Sequence, residues 1–313
     1  MNEDEKKFVP VMITPFNQKL KIDMDGVSKL IDFYLAAGVK GFFANCLSSE
    51  MFSITEDERI ELIKFIVEYV NGAVPVVASG SFGLTIEDKA ESAGKIYDTG
   101  VDGVIMITSH FATAQENDNI LLQNFEKFLN LIGNFPLGLY ECPAPYKRII
   151  SPEIFKILLQ TNRFIYHKDT SINPERVKAK LEILKEIKNN KLEFYDAHSP
   201  NATSSLQQGA KGMSCISGNF YPEIMVWICN NATDSEKQDD VKWLQSEISR
   251  VDPVIHHAYP ASAKYFLKKR GLPVHTISRT YVQDLTVDQK KNLDLIYSDF
   301  LGWCERLKIK PAI

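Results

Sequence analysis

The 313-residue chain has little cysteine, no surplus of positive charge and no long apolar run. Its five cysteines, Cys46, Cys142, Cys215, Cys229 and Cys304, are scattered and form no C-x-x-C pair. That usage predicts reduced thiols in a cytoplasmic protein rather than a disulfide frame. Lys and Arg number 36 against 40 Asp and Glu, a formal net charge of −4, so there is no basic footprint for a nucleic acid. No apolar stretch approaches the length of a membrane span, so no membrane partner is expected. The start, Met1 to Lys7, is charged and lacks the apolar core of a secretory signal. No G-x-G-x-x-G follows the first apolar run, which counts against a dinucleotide-binding open sheet. H-E-x-x-H and H-x-H spacings are missing as well, so no metal and no organic cofactor are expected.

What the chain does contain is alternation. Short apolar runs at Val9–Thr14, Gly41–Ala44, Val76–Ala78, Val101–Ile107, Leu137–Tyr140, Phe164–Lys168, Leu192–Tyr195 and Gly212–Ile216 read as eight strands. Helical stretches separate them. Asp23 caps one with Val27, Leu30, Ile31 and Tyr34 on a single face, and Gly38 ends it. Thr55 and Glu58 form a capping box, and Pro152 takes the first helical position after Ser151. Strands that are apolar throughout suit a parallel sheet covered on both faces. Eight βα units within about 250 residues predict an α/β (β/α)8 TIM barrel, here spanning residues 8–232. Residues 233–313 read as a C-terminal helical region packed on the barrel, with helices over Asp234–Val251, Tyr259–Arg270 and Thr286–Leu307.

In such a barrel the residues after each strand gather at one end. These are Ser48, Ser49 and Glu50 after strand two, His110 after four, Tyr140 and Glu141 at five, Lys168 at six, Asp196 and His198 at seven, and Asn219 after eight. A buried lysine loses its charge readily and attacks a carbonyl to form an imine. A tyrosine on the next strand is placed to move protons for it. Ser48 and Ser49, with backbone amides, offer a seat for a carboxylate. Glu141 alternates away from Tyr140 and faces either the layer between barrel and helices or, if the chain kinks before Pro143, the pocket. Ser214, between Met213 and Cys215, faces opposite to them and is a candidate for substrate contact. Glu50 is either a structural acceptor of backbone amides or a site residue.

In order and spacing, several of these stretches resemble the pyruvate-dependent class I aldolases typified by dihydrodipicolinate synthase and N-acetylneuraminate lyase. The carriers are Pro10 to Phe16, Tyr140-Glu141-Cys142-Pro143, His167-Lys168-Asp169 and Gly209 to Ile216 followed by Asn219. The likeness runs from about residue 8 to about residue 225. It implies a Schiff base on Lys168, proton transfer by Tyr140, a small-molecule 2-keto acid as partner, and a homo-oligomer, dimer or tetramer. The strand-two motif departs from the family's pattern: Leu47 stands where the first relay threonine is usual. Phe111 stands at the relay tyrosine and Pro145 near the arginine that grips the second substrate's carboxylate, with Lys147 and Arg148 just beyond.

The reading is a Schiff-base lyase or aldolase acting on a 2-keto acid, either pyruvate plus an aldehyde or a 2-keto-3-deoxy sugar acid. Lys168 and Tyr140 are catalytic. Ser48, Ser49, His110, Glu141, His198 and Ser214 bind substrate. The alternatives are dihydrodipicolinate synthase proper, a metal-dependent barrel enzyme using His110, Asp196 and His198, and a 2-keto-acid sensor without turnover, which Leu47 and Phe111 motivate.

Overall fold

The structure, a computed structural model, describes residues 5–187, 190–280 and 283–312. Residues 1–4 lie outside it. Eight strands form one all-parallel sheet: β1 (Lys7–Phe8), β2 (Phe42–Asn45), β3 (Val76–Ser79), β4 (Gly103–Ile107), β5 (Leu137–Tyr140), β6 (Phe164–Asp169), β7 (Glu193–Asp196) and β8 (Gly212–Met213). From β2 to β8 each strand pairs with its sequence neighbour, and β8 pairs with β1. A parallel bridge between Val11 and Phe43 joins the first strand segment to β2 and closes the barrel.

The first strand differs from the Val9–Thr14 expected. Its ladder lies earlier, at Lys7–Phe8 against Gly212–Met213. The chain then crosses from one neighbour to the other: Val9 N–H donates to Met213 O, whereas Met12 N–H donates to Phe43 O. Pro10 lies between them with no N–H to give, and its carbonyl accepts from Phe43 N. The closure leaves no room for a side chain at Gly212, where a Cβ would sit 1.9 Å from the Lys7 carbonyl oxygen.

The outer layer is α1 (Met24–Ala36), α2 (Glu56–Val70), α3 (Ile86–Tyr97), α4 (Asp118–Leu131), α5 (Pro152–Gln160), α6 (Pro174–Glu186), α7 (Ala202–Gln208) and α8 (Pro222–Asn231). Their starts are set by side chains: Asp23 accepts from Gly26 N, and Thr55 and Glu58 form the expected reciprocal cap. Val27, Leu30, Ile31 and Tyr34 of α1 are all buried, each contributing roughly 1.5–3 kcal/mol by removal from water.

Three more helices follow: α9 (Gln238–His256), α10 (Ala261–Lys269) and α11 (Val287–Leu307). α9 runs beyond the expected end at Val251. Pro253 forfeits one helical hydrogen bond, but buried Val251 and Ile255 keep the helix on the core. Buried ions fasten this region to the barrel. Arg270 grips Glu223 of α8 through both terminal guanidinium nitrogens, and Lys264 Nζ lies 2.8 Å from Glu50 Oε1. Among the described residues, no helix is long and apolar enough to cross a membrane.

Candidate active site

A bulge in β6 aims the lysine. Leu137 pairs with Phe164, but the next residue, Gly138, pairs with Tyr166, so Ile165 is an extra residue. Phe164 packs outward against Phe125 of α4. Without the insertion Lys168, four residues on, would share that outward face. The bulge resets the phase, and Tyr166 and Lys168 turn into the barrel while His167 and Asp169 turn toward α5 and α6.

Lys168 is 4% exposed. Its Nζ lies 4.6 Å from the centroid of the Tyr140 ring and 5.6 Å from that of Phe43. Among the described residues it makes no ion pair. Burial pushes its pKa down, opposed by the thiols of Cys46, Cys142 and Cys215. Tyr140 pairs with Lys168 across β5 and β6, and burial, then Cys142, drives its phenol well above the ordinary tyrosine value. The two side chains therefore meet as an amine biased to be neutral and a phenol biased to keep its proton.

They form the floor of a cavity of about 460 Å³ at the C-terminal mouth of the barrel. Ser48, in the 3-10 turn Leu47–Ser49 after β2, lines it together with Tyr259. Asn219 Nδ2 donates to the Tyr259 phenol oxygen at 2.6 Å and to Val11 O at 2.8 Å. His198 also lines the cavity, and among the described residues its Nδ1 has no hydrogen-bond partner. Lys147 reaches the wall and donates to Thr170 O at 2.9 Å. Arg148 turns away, donating to the carbonyls of Thr113 and Glu116 and pairing with Asp118 at 2.9 Å.

Thus Lys168, Tyr140, Ser48 and His198 share one cavity, and the other expected residues lie elsewhere. Ser49 is wholly buried behind the turn, its Oγ 2.6 Å from Met12 O and 2.9 Å from Ala44 O, while it accepts from Cys46 N. Ser214 is buried below the cavity, accepting from the Tyr166 phenol at 3.0 Å. His110 lines a separate open groove with Pro145 and Tyr146, its Nδ1 at 2.5 Å from Ser81 O. Burial lowers its pKa. Phe111 is stacked on Phe125 at 4.1 Å, inside the core.

Glu141 took the outward of its two alternatives. It accepts from Ile150 N and Thr170 N, and from Lys180 of α6. Glu141, His167 and Asp169 are the one group, among the described residues, whose acidic and imidazole atoms approach closely enough to hold a metal ion. Lys180 occupies that position as the cation, donating to both carboxylates, with His167 Nε2 3.5 Å from its Nζ. Glu50 is a structural acceptor, bonded by Lys264, Ser278, Arg279 N and Thr280 N.

The C-terminal region supplies a wall that sequence spacing did not suggest. His256 at the end of α9, Tyr259, Pro260 and Thr280 all line the cavity, more than 80 residues from Lys168 in the chain.

The dihydrodipicolinate synthetase family model matches residues 4–299. The chain belongs to that family. Its 4-hydroxy-tetrahydrodipicolinate synthase relatives include those of Oceanobacillus iheyensis, 24% identical over 94% of this chain and 97% of the relative, and Bacillus subtilis, 25% identical over 92% and 97%. Among solved family structures, the E. coli K12 prophage protein YagE in complex with pyruvate superposes with a TM-score of 0.84. It is 21% identical and matches 95% of this chain and 98% of YagE. CdNal of Clostridium difficile, in complex with mannosamine, superposes at 0.82 with 15% identity, over 94% and 99%. These low identities make the chain a divergent member, alike in fold and different in most side chains.

Proposed function

We propose that the protein is a class I lyase that makes or breaks a carbon–carbon bond in a 2-keto acid through an imine on Lys168. The observation that carries this is the buried, unpaired Lys168 amine lying over Tyr140 in a cavity at the barrel mouth. The family's synthases and the pyruvate complex of YagE support a pyruvyl group as the bound fragment.

The amine adds to the keto carbon, and the carbinolamine loses water to leave the imine. In the cleavage direction, the hydroxyl on C4 gives up its proton and the C3–C4 bond breaks. An aldehyde leaves, and the electron pair stays as an enamine. Protonation at C3 and hydrolysis then release pyruvate and restore the amine. Tyr140, beside the nitrogen, carries the proton in the carbinolamine steps. The Ser48 hydroxyl and the backbone amides of its turn hold the substrate carboxylate. Lys147, His198 and Thr280 face the far end of the substrate. A homo-oligomer fits the exposed Phe52 and Leu84 near the His110 groove, surfaces that a second copy would cover.

Pyruvate in D2O tests the reading without knowledge of the aldehyde. Enamine formation exchanges the methyl protons, and NMR should show loss of that signal with wild-type protein and none with Lys168→Ala. Exchange by Lys168→Ala at the wild-type rate would contradict the assignment.

A further inference from the structure

The β6–α6 loop carries an isoleucine in a conformation that isoleucine disfavours. Ile172 has φ +59°, in the left-handed region, where a β-branched side chain crowds its own backbone. It is also 55% exposed, yet it forms part of the cavity wall. The loop is held from both sides. Asp169 accepts from Ser171 N at 2.7 Å, Glu141 accepts from Thr170 N, and Asn173 caps α6 by accepting from Arg176 N at 2.9 Å. These bonds fix the backbone on either side and present the Ile172 side chain at the mouth. The cavity wall also carries Leu47, Pro143, Ile216 and Pro260. A strained backbone that exposes an apolar side chain is doubly unfavourable in the empty protein, and a ligand that covers the side chain offsets part of that.

We propose that Ile172 is a specificity-determining residue: it closes on the carbon chain beyond the keto group, so the preferred substrates are 2-keto acids whose far end presents an apolar face. This rests on the Lys168 imine reading. With the carboxylate at Ser48 and the keto carbon at Lys168, Ile172 offers an apolar surface to the chain beyond the keto group, beside the polar Thr170, Lys147 and His198 that also line the cavity.

The test is borohydride trapping on Lys168 with pyruvate, 2-oxobutanoate, 2-oxopentanoate and 2-oxohexanoate, read as the half-saturating concentration of each. Wild-type protein should gain about fourfold in apparent affinity for each methylene that reaches the apolar wall. In Ile172→Gly and Ile172→Asn, which suit a left-handed backbone, the ratio of pyruvate to 2-oxohexanoate half-saturation should fall about tenfold, with melting temperatures no lower than wild type. An unchanged ratio would overturn the proposal. So would a lower melting temperature in both variants, which would make Ile172 a packing or subunit-contact residue. Failure of every keto acid to label wild-type Lys168 would instead remove the imine reading itself.

Discussion

Lys180 Nζ lies 2.7 Å from Asp169 Oδ2, and both side chains are wholly buried. With Glu141 as the second acceptor, this ion group lies directly behind the cavity: Glu141 follows Tyr140, and His167 and Asp169 flank Lys168. Burial works against the charge on Asp169, but His167 and Lys180 outweigh it and hold the carboxyl far below its usual range. Its stabilisation is therefore present above the ordinary aspartate pKa and is lost as pH falls. Lys180 is shifted up, because the two carboxylates outweigh burial, so its share is present at neutral pH and lost only at high pH. Lys180→Met leaves two buried carboxylates without a cation and should cost about 3–5 kcal/mol, measured by urea unfolding at neutral pH.

Asp196 behaves in the opposite way. Burial raises its pKa to about 6, against the opposing hydrogen bonds from Ser205 and His198 N. The folded protein holds this proton more tightly than the unfolded chain, so stability falls as pH rises from about 4 to about 6 and stays lower above. Asp196→Asn should remove that decline. Unfolding free energies at pH 4 and pH 7 for the two proteins give the comparison, with a difference of about 2 kcal/mol expected from the part of the shift that falls between those pH values.

Glu50 ties the carboxylate seat to the C-terminal region. It sits one residue after the Ser48–Ser49 turn and receives Lys264 from α10 and the backbone of Arg279 and Thr280. Glu50→Ala strands the buried Lys264 ammonium and should cost about 3–5 kcal/mol. It also frees the turn that carries Ser48, so the pyruvate concentration for half-maximal methyl exchange should rise about tenfold. A stability loss with unchanged half-saturation would separate the clamp from the binding site.

Lys168 is held in place at a cost. Burial disfavours its charged form, and among the described residues no carboxylate compensates. Lys168→Met should therefore raise stability at neutral pH by about 1–2 kcal/mol while abolishing exchange. In the wild type, the imine-forming rate should rise with pH toward a midpoint below the ordinary lysine value. Stopped-flow mixing with pyruvate across the alkaline range measures that midpoint.

The barrel was legible because buried parallel strands are continuously apolar and the caps at Asp23, Thr55 and Ser151 mark helix starts by local chemistry alone. Lys168 and Tyr140 were legible as strand-end residues. Strict alternation from Phe164 would nevertheless have turned Lys168 outward; the extra residue at Ile165 is visible only in the pairing with Gly138. The hydroxyl of Ser49 looked available because its acceptors, Met12 O and Ala44 O, lie on a neighbouring strand segment and on its own. His256, Tyr259 and Thr280 were missed for a similar reason. Their place at the cavity depends on how α9 and α10 fold back over the mouth, through ion pairs such as Lys264–Glu50 that join residues 214 apart.

The central claim is the covalent one. Protein incubated with pyruvate and reduced with borohydride is analysed by intact mass and peptide mapping. The account predicts a single reduced pyruvyl adduct, on the peptide containing Lys168, and none in Lys168→Ala. An unmodified wild-type protein, or an adduct on another lysine, would contradict it.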